Sequence, residues 1–227
     1  MLLLAVDTTR PSGSTALLRD GKLVAEINGE TGLTHSEQLL PAVDFLLKKI
    51  GRNILDVDGY AVAAGPGSFT GIRVGMSTVK SFAMAADKPI APVSTLEALA
   101  LKLHHPQSRL LCPLLDAKKG EVYAALFEWR KGRLVEVVPP AAYKPDRFFS
   151  LLPSRRVISF MGSGSVLYRD KLFQYIGDKA RFPRRSPFIA AEVGLLGYDM
   201  LNRGEGLNHL DVEPFYLRRS QAEENLS

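Results

Sequence analysis

The sequence has few of the features that cross-link or anchor a protein: 227 residues include one cysteine, one tryptophan and no long apolar run. The single Cys112 excludes intramolecular disulfides and cysteine-rich zinc sites, and within LLCPLL it is predicted to be an inert buried thiol. The apolar start MLLLAVDTT is too short to span a bilayer and lacks the basic start and cleavage site of a signal peptide. We therefore expect a cytoplasmic protein that makes no contact with membranes.

Motifs for metal binding and covalent catalysis are also missing from the sequence. The four histidines do not have the spacing of metal ligands. No serine or cysteine stands in a recognisable arrangement with a base. We therefore expect neither a catalytic residue nor a metal site.

The surplus of positive charge is confined to the second half of the chain. Residues 1–105 hold ten basic and ten acidic residues, whereas residues 106–227 hold nineteen and fourteen, which accounts for the net charge of +5. A basic half attracts RNA or another polyanion, although ordinary solvated charge explains it as well. Adjacent basic pairs stand at Lys118-Lys119, Arg155-Arg156, Arg184-Arg185 and Arg218-Arg219.

The two halves repeat one order of patterns. An apolar run ends at Asp7 and leads into a hairpin with an Asp-Gly turn, and the second half repeats this order from Asp116. Each half later shows a strand, a glycine loop and a helix, with the loops at 65–68 and 162–165. This duplicated α/β plan is that of the two-lobed actin-like ATPase fold, known as ASKHA and built on an RNase H-like unit. The predicted lobes are 1–105 and 106–227, and a helix at about 189–202 is a candidate to pack back on the N-terminal lobe.

The first glycine loop, in AAGPGSFTGIRVG, has the setting of a phosphate cradle. Its amides at a helix N-terminus favour anions, but it has neither the lysine of a P-loop nor the glycine spacing of a dinucleotide site. Asp7 and Thr8, with Gly65 and Gly67, form a candidate for a degenerate nucleotide site. The alternatives are a turn in which Asp7 binds its own backbone, and glycines that allow close helix packing.

Two predicted helices have more apolar surface than one core-facing stripe requires. They cover residues 35–50 and about 72–86, and the second contains one charged residue between Arg73 and Asp87. Burial in the core of the lobe is one explanation, and a docking surface for another chain is the other. The residues that we predict for such an interface are Leu40, Leu47, Arg73, Val74, Thr78 and Phe82.

Five segments in this order give the chain a family resemblance: THSEQLLP, GPGSFTGIR, VSTLEALA, LLDAKKGEVYAALF and EPFYLRRS. With them the sequence resembles the TsaB (YeaZ) family over nearly all of its length. The resemblance implies a non-catalytic scaffold for TsaD, the catalytic member of the same fold. With TsaE, these proteins place threonylcarbamoyl on the adenosine beside the anticodon of tRNAs that read codons beginning with A.

The resemblance also implies partners and a lost metal site. The expected partners are a TsaD-like catalytic subunit, a TsaE-like ATPase, tRNA through the complex, and a second copy of the chain when it is alone. TsaD-like proteins carry a His-x-x-x-His metal pair, whose positions fall here on Thr95 and Leu99, which are a poor ligand and a non-ligand. No cofactor of its own is expected, and ATP or ADP is placed, if anywhere, at the interface with the partner complex.

An alternative function remains open from the sequence. The chain would then be an actin-like ATPase or phosphotransferase that uses Asp7 and the loops at 65–71 and 162–165. A protease, as YeaZ relatives were once described, would need a nucleophile and base that the sequence does not show together.

Overall fold

The computed structural model describes residues 1–29, 34–106 and 108–218, and the chain divides into two units. The first unit is Met1–Ala98 together with Phe188–Phe215, and the second is Leu99–Pro187 together with the chain from Tyr216. The division falls inside a helix rather than after residue 105, and the helix near 189–202 belongs to the first unit. Arg219 and the residues after it, which the sequence analysis assigned to the second lobe, lie outside the described residues.

The first unit is a five-stranded mixed sheet with helices on both faces. Its elements are β1 (Leu2–Asp7), β2 (Gly13–Arg19), β3 (Lys22–Gly29), α1 (His35–Lys49), β4 (Gly59–Gly65), α2 (Phe69–Ala86), β5 (Ile90–Ser94), the start of α3 (Thr95–Leu103) and, as its last helix, Ala190–Asn202. The strand order is β3-β2-β1-β4-β5, in which β1 pairs antiparallel with β2 and parallel with β4.

The alternation of side chains along β1 explains why the whole strand is buried. Leu2, Leu4 and Val6 join α1 and α2 in one core cluster. Successive residues of a strand point to opposite faces, so Leu3 and Ala5 face the other way. There the Ala190–Asn202 helix packs so closely that a Cβ on its Gly194 would lie 2.1 Å from Leu18.

The second unit repeats the same sheet with its own strands. Its elements are the rest of α3, β6 (Leu110–Lys118), β7 (Glu121–Arg130), β8 (Arg133–Tyr143), α4 (Pro145–Ser150), β9 (Ile158–Met161), α5 (Ser163–Leu167), α6 (Arg169–Ile176) and β10 (Ala180–Arg181); the Ala190–Asn202 helix is therefore α7. The order β8-β7-β6-β9-β10 matches β3-β2-β1-β4-β5 strand for strand. The predicted duplicated α/β plan is therefore confirmed.

The hairpin turns have the chemistry that the sequence predicted. Asp20 and Gly21 both have positive φ, at 50° and 71°, and Lys131 and Gly132 have 49° and 81°. Two successive positive φ angles belong to the turn type that matches the twist of a hairpin. Within the part of the chain that the structure describes, every helix is too short or too polar to cross a bilayer.

Candidate functional site

The turn after β1 lies where the carboxyl ends of two parallel strands meet. Because β1 pairs with β4 through Val6 and Val62, Asp7 stands beside the loop that follows β4. Asp7 is fully buried, and Thr8 is 2% exposed. The structure therefore brings together the predicted residues Asp7, Thr8, Gly65 and Gly67.

Both carboxylate oxygens of Asp7 are already hydrogen bonded within the turn. Its Oδ1 accepts from the backbone N–H of Thr9 at 2.9 Å and from the Thr9 hydroxyl at 2.6 Å. Its Oδ2 accepts from the guanidinium of Arg10 at 2.9 Å, and the Arg10 side chain is 15% exposed. Asp7 therefore binds the backbone of its own turn, as in the alternative interpretation. Its ion pair with Arg10 was not predicted from the sequence.

The glycines of the loop allow α2 to pack directly on this turn. A Cβ at Gly67 would lie 2.4 Å from the Thr9 carbonyl oxygen, and one at Gly71 would lie 1.9 Å from that of Thr8. The Thr8 hydroxyl donates to the Gly71 carbonyl at 2.7 Å. No side chain fits at these distances, so glycine is required here for close approach.

Two of the loop amides that would cradle a phosphate have partners inside the protein. The N–H of Ser68 donates to the Thr9 carbonyl at 2.7 Å. The N–H of Gly71 donates to the Ser68 hydroxyl at 3.2 Å, which caps α2. These bonds engage two of the loop's donors and tie the loop to the turn.

The residues around Asp7 do not fit a magnesium–phosphate group. Asp7 already pairs with Arg10. It also lines a cavity of about 480 Å³ whose walls combine apolar side chains, such as Ile27 and Leu39, with polar ones, such as Asn28 and His35. Glu37 also lines this cavity. Its carboxylate would repel a phosphate, so the predicted nucleotide site keeps the topology of a phosphate site, while Asp7 and Glu37 make its charge unfavourable for an anion.

The second unit repeats this arrangement around Asp116. Its backbone N–H donates to the Ser163 hydroxyl at 3.0 Å, and its carboxylate binds Lys118 at 2.8 Å, which lowers the pKa of Asp116. A Cβ at Gly162 would lie 2.4 Å from the Leu114 carbonyl oxygen. Both glycine loops thus serve close packing on the first strand of their sheet.

The two positions that correspond to the metal-binding histidines of TsaD-like proteins hold buried residues that are not suited to bind a metal. Thr95 and Leu99 are both fully buried on α3. Across the described ranges, there is no group of three or more His, Cys, Asp or Glu that could hold a metal ion. Cys112 is buried among apolar side chains, and burial raises its pKa well above the ordinary value.

A groove with an exposed apolar floor runs between α1 and α2. Its volume is about 510 Å³, and its lining comes from the two helices alone: Ser36, Leu39, Leu40, Phe69, Thr70, Arg73, Val74, Ser77 and Thr78. The Leu40 side chain is 53% exposed and that of Phe69 is 42% exposed. The Arg73 guanidinium lies 3.8 Å from the centre of the Phe69 ring, which orders both side chains at the rim. We call this surface the α1–α2 groove.

Four of the six predicted interface residues line the α1–α2 groove, and the other two do not. Leu40, Arg73, Val74 and Thr78 line the groove. Leu47 does not belong there, because it is 3% exposed and packs in the core beneath α1. Phe82 packs against the same core, with its ring 6.2 Å from that of Tyr60.

Four exposed residues of the α1–α2 groove were not among the predicted interface residues: Ser36, Phe69, Thr70 and Ser77. Met84 is 66% exposed on α2 although its neighbour Ala83 is buried. Phe69 follows the N-cap of α2, where the loop rather than helical periodicity decides its direction. The hydrophobic pattern shows where a helix has apolar stripes. Because α2 has several such stripes, the pattern could not show which of them is exposed.

In the basic pair Arg155-Arg156, Arg156 has an acidic partner within the protein. Glu128 is 5% exposed, and its carboxylate accepts hydrogen bonds from Arg156 and from Arg130. The bond from Arg156 is the main reason that the pKa of Glu128 lies below its ordinary value. Arg156 therefore compensates a buried charge.

Comparisons with known proteins connect these observations. The sequence pattern of the family described as "TsaD: tRNA N6-adenosine threonylcarbamoyltransferase" matches residues 29–196. The "tRNA threonylcarbamoyladenosine biosynthesis protein TsaB" of Bacillus subtilis (strain 168) is 32% identical over 98% of this chain and 96% of its own length.

Solved structures give the same result at the level of the fold. A Pseudomonas aeruginosa crystal structure, of a protein described as uncharacterized with similarity to peptidase YEAZ, matches with a TM-score of 0.83 at 29% identity, over 96% of this chain and 99% of that one. A ROK hexokinase from Thermus thermophilus matches with a TM-score of 0.51 at 12% identity, over 90% of this chain and 100% of that one, which confirms the actin-like fold alone. Since a relative above 30% identity aligns along nearly the whole sequence, the chain belongs to the TsaB (YeaZ) family of tRNA threonylcarbamoyladenosine biosynthesis proteins.

Proposed function

We propose that the chain is a non-catalytic subunit of the assembly that forms threonylcarbamoyladenosine in tRNA, and that it binds a TsaD-like enzyme through the α1–α2 groove. The observation that carries the proposal is the exposed apolar lining of this groove in a chain of the TsaB family. An exposed apolar surface framed by polar residues is typical of a protein interface. Leu40, Phe69 and Val74 supply apolar area, and Arg73 supplies a charged rim.

The relationship to TsaD supports this choice of partner. The TsaD family pattern covers α1, α2 and most of the second unit of this chain. A TsaD-like enzyme with the same fold therefore carries a corresponding helix pair. The helix pair of this chain would pack against the helix pair of the enzyme. Two copies of this chain would pack in the same way when the enzyme is absent, which gives a homodimer.

The closed turn at Asp7 supports a role without chemistry of its own. Its carboxylate is neutralised by Arg10, and the loop amide of Ser68 is bound to Thr9. A catalytic phosphate site needs such groups to be available to the ligand. The TsaE-like ATPase, ATP or ADP at the interface with the partner complex, tRNA bound through the complex and a cytoplasmic location all remain predictions of this proposal.

The test pairs two leucines of similar exposure on different elements of the first unit. Leu40 is 53% exposed in the groove, and Leu23 is 50% exposed on β3. We expect Leu40→Glu to weaken binding to the TsaD-like enzyme of the same organism by roughly tenfold or more, because a charge enters the centre of the interface. Leu23→Glu is the matched control and should bind as the unchanged chain does.

The functional readout is modification of an unmodified tRNA transcript by the enzyme and the TsaE-like ATPase, with and without this chain. Modification that depends on the chain, and that falls with Leu40→Glu, supports the proposal. Full modification in its absence contradicts it. The alternative of an ATPase or phosphotransferase then predicts magnesium-dependent ATP turnover by the isolated chain, which Asp7→Ala abolishes.

A further inference from the structure

One short stretch of the second unit is rich in basic residues. Residues 169–185 hold six basic and two acidic residues, a net charge of +4, compared with +5 for the whole chain. The stretch runs from α6 through β10, which is an edge strand of the second sheet. Basic residues concentrated at one sheet edge produce a local positive potential there.

The arginines of this edge differ in how they are engaged. Arg181 donates to backbone carbonyl groups, including that of Ala180 at 3.2 Å. Arg184 and Arg185 are exposed and form no ion pair or hydrogen bond with any residue that the structure describes. Their guanidinium groups are therefore available to a ligand from outside the chain.

An aromatic cluster holds a third arginine beside them. The Arg169 guanidinium lies 4.7 Å from the centre of the Phe182 ring and 5.8 Å from that of Phe173. Phe182 is anchored in turn on the buried Phe160, with ring centres 5.5 Å apart. Arg184 follows Phe182 by two residues, so their Cα atoms are no more than about 7 Å apart.

The segment is also stiff where it presents the arginines. Pro183 and Pro187 enclose Arg184 and Arg185 in the sequence PRRSP. Proline fixes its own backbone angle and restricts the residue before it, which lowers the conformational entropy that binding must overcome. Arginine also matches phosphate oxygens with two parallel hydrogen bonds, which a lysine does not.

We infer that Arg169, Arg184 and Arg185, which we call the basic edge, bind the phosphate backbone of RNA. This inference rests on the proposed function, which brings tRNA to the complex that contains this chain. It adds that the chain itself contacts the RNA, at the second unit. Arg156 takes no part, because it pairs with Glu128.

The test compares two double variants with the same loss of charge at opposite edges of one sheet. Arg184→Ala with Arg185→Ala removes two of the three arginines of the basic edge. Lys131→Ala with Arg133→Ala is the control, since both residues are exposed at the turn between β7 and β8. Four strand spacings of about 4.8 Å separate β8 from β10, so the control lies roughly 19 Å away.

Binding of an unmodified tRNA transcript is measured between about 50 and 200 mM salt. Both the complex with the TsaD-like enzyme and this chain alone are titrated. We expect the basic-edge variant to lose affinity by roughly tenfold for each phosphate contact at about 0.1 M salt, and to lower the slope of log affinity against log salt by about 2. The control variant should keep both the affinity and the slope.

Three results would overturn the inference. The first is an equal loss in both double variants, which would show that only net charge matters. The second is an unchanged affinity in the basic-edge variant, which would show that these arginines do not contact the RNA. The third is a basic-edge variant that no longer assembles with the enzyme, which would make this edge a protein contact. If the unchanged chain fails to assemble, the proposed function is lost, while the titration of the chain alone still decides on the basic edge.

Discussion

Glycine in this chain matters most where helix α2 meets the turn after β1. Gly71 lies where a Cβ would approach the Thr8 carbonyl oxygen to 1.9 Å, and this oxygen is a backbone atom that cannot rotate away. Replacing glycine by alanine in a helix gains about 1 kcal/mol in propensity, whereas overpacking costs about 3 kcal/mol. We expect Gly71→Ala to lower the free energy of unfolding by about 2 kcal/mol.

Thermal unfolding measures this effect, and the expected fall in Tm is about 4–8 °C. Ser81→Ala on the exposed side of the same helix is the control, because it loses one hydrogen bond to the Ser77 carbonyl and no packing. A Gly71→Ala protein as stable as the control would show that α2 does not pack on the turn as described. The glycine loop would then be open to a ligand.

Glu128 gives a second prediction for a single residue, and it concerns pH. Its pKa is lowered mainly by the hydrogen bond from Arg156, so the folded state favours the ionised carboxylate. A lowered pKa stabilises the protein above the ordinary glutamate value of 4.5 and loses this effect as the pH falls through the folded value. Arg156→Ala should cost about 1 kcal/mol at pH 7, because Arg130 still pairs with Glu128 and Arg156 is half exposed.

The measurement is denaturant unfolding of Arg156→Ala and of Arg155→Ala at pH 7 and at pH 4. The destabilisation by Arg156→Ala should shrink at the lower pH, whereas Arg155→Ala should have little effect at either. A destabilisation that is independent of pH would mean that Arg156 acts through packing and not through the Glu128 charge. Loss of tRNA binding in an Arg156 variant should therefore be interpreted only after its stability is known.

At the scale of elements, the motif THSE is explained by the start of α1. The Glu37 carboxylate accepts from both the backbone N–H and the hydroxyl of Thr34, at 2.8 and 2.7 Å, which lowers the pKa of Glu37. Glu37 is the third residue of α1 and binds back to the N-cap Thr34, as in a capping box. The motif that supported the family resemblance thus fixes the first turn of a helix that lines the groove.

Thr34→Ala tests this cap and its effect on the groove together. We expect Tm to fall by about 2–4 °C, as for the loss of an N-cap. Binding to the TsaD-like enzyme should weaken less than in Leu40→Glu, because the cap orients α1 without touching the partner. Binding weaker than that of Leu40→Glu would place the start of α1 inside the interface.

Elements with two-residue or helical periodicity were predictable from the sequence, and the face that each helix exposes was not. β1, β4 and both hairpins follow directly from apolar runs and Asp-Gly or Lys-Gly turns. Leu47 and Phe82 looked like surface residues because α1 and α2 each have more apolar side chains than one stripe needs. Which stripe of α2 faces the sheet depends on how closely α2 packs against Thr8. This packing is a tertiary contact, and the sequence pattern of the helix does not reveal it.

At the scale of the whole molecule, the two units share the same arrangement of an aspartate, a glycine loop and an ion pair. Both units place an aspartate at the end of the first strand and a glycine loop beside it. In both units the aspartate binds a basic side chain two or three residues further on, Arg10 or Lys118. The repeated pattern was visible in the sequence, but the ion pairs that close the two turns were not, because they depend on side-chain directions.

The oligomeric state of the isolated chain follows from the α1–α2 groove. If related faces bind each other, the groove that we propose for the enzyme also pairs two copies of this chain. Sedimentation velocity should then show a dimer for the unchanged chain and for Leu23→Glu, and a monomer for Leu40→Glu at the same concentration. Because all three proteins keep the core of the first unit, their circular dichroism should agree. A dimer that persists in Leu40→Glu would place self-association on another surface and would leave the α1–α2 groove to the enzyme alone.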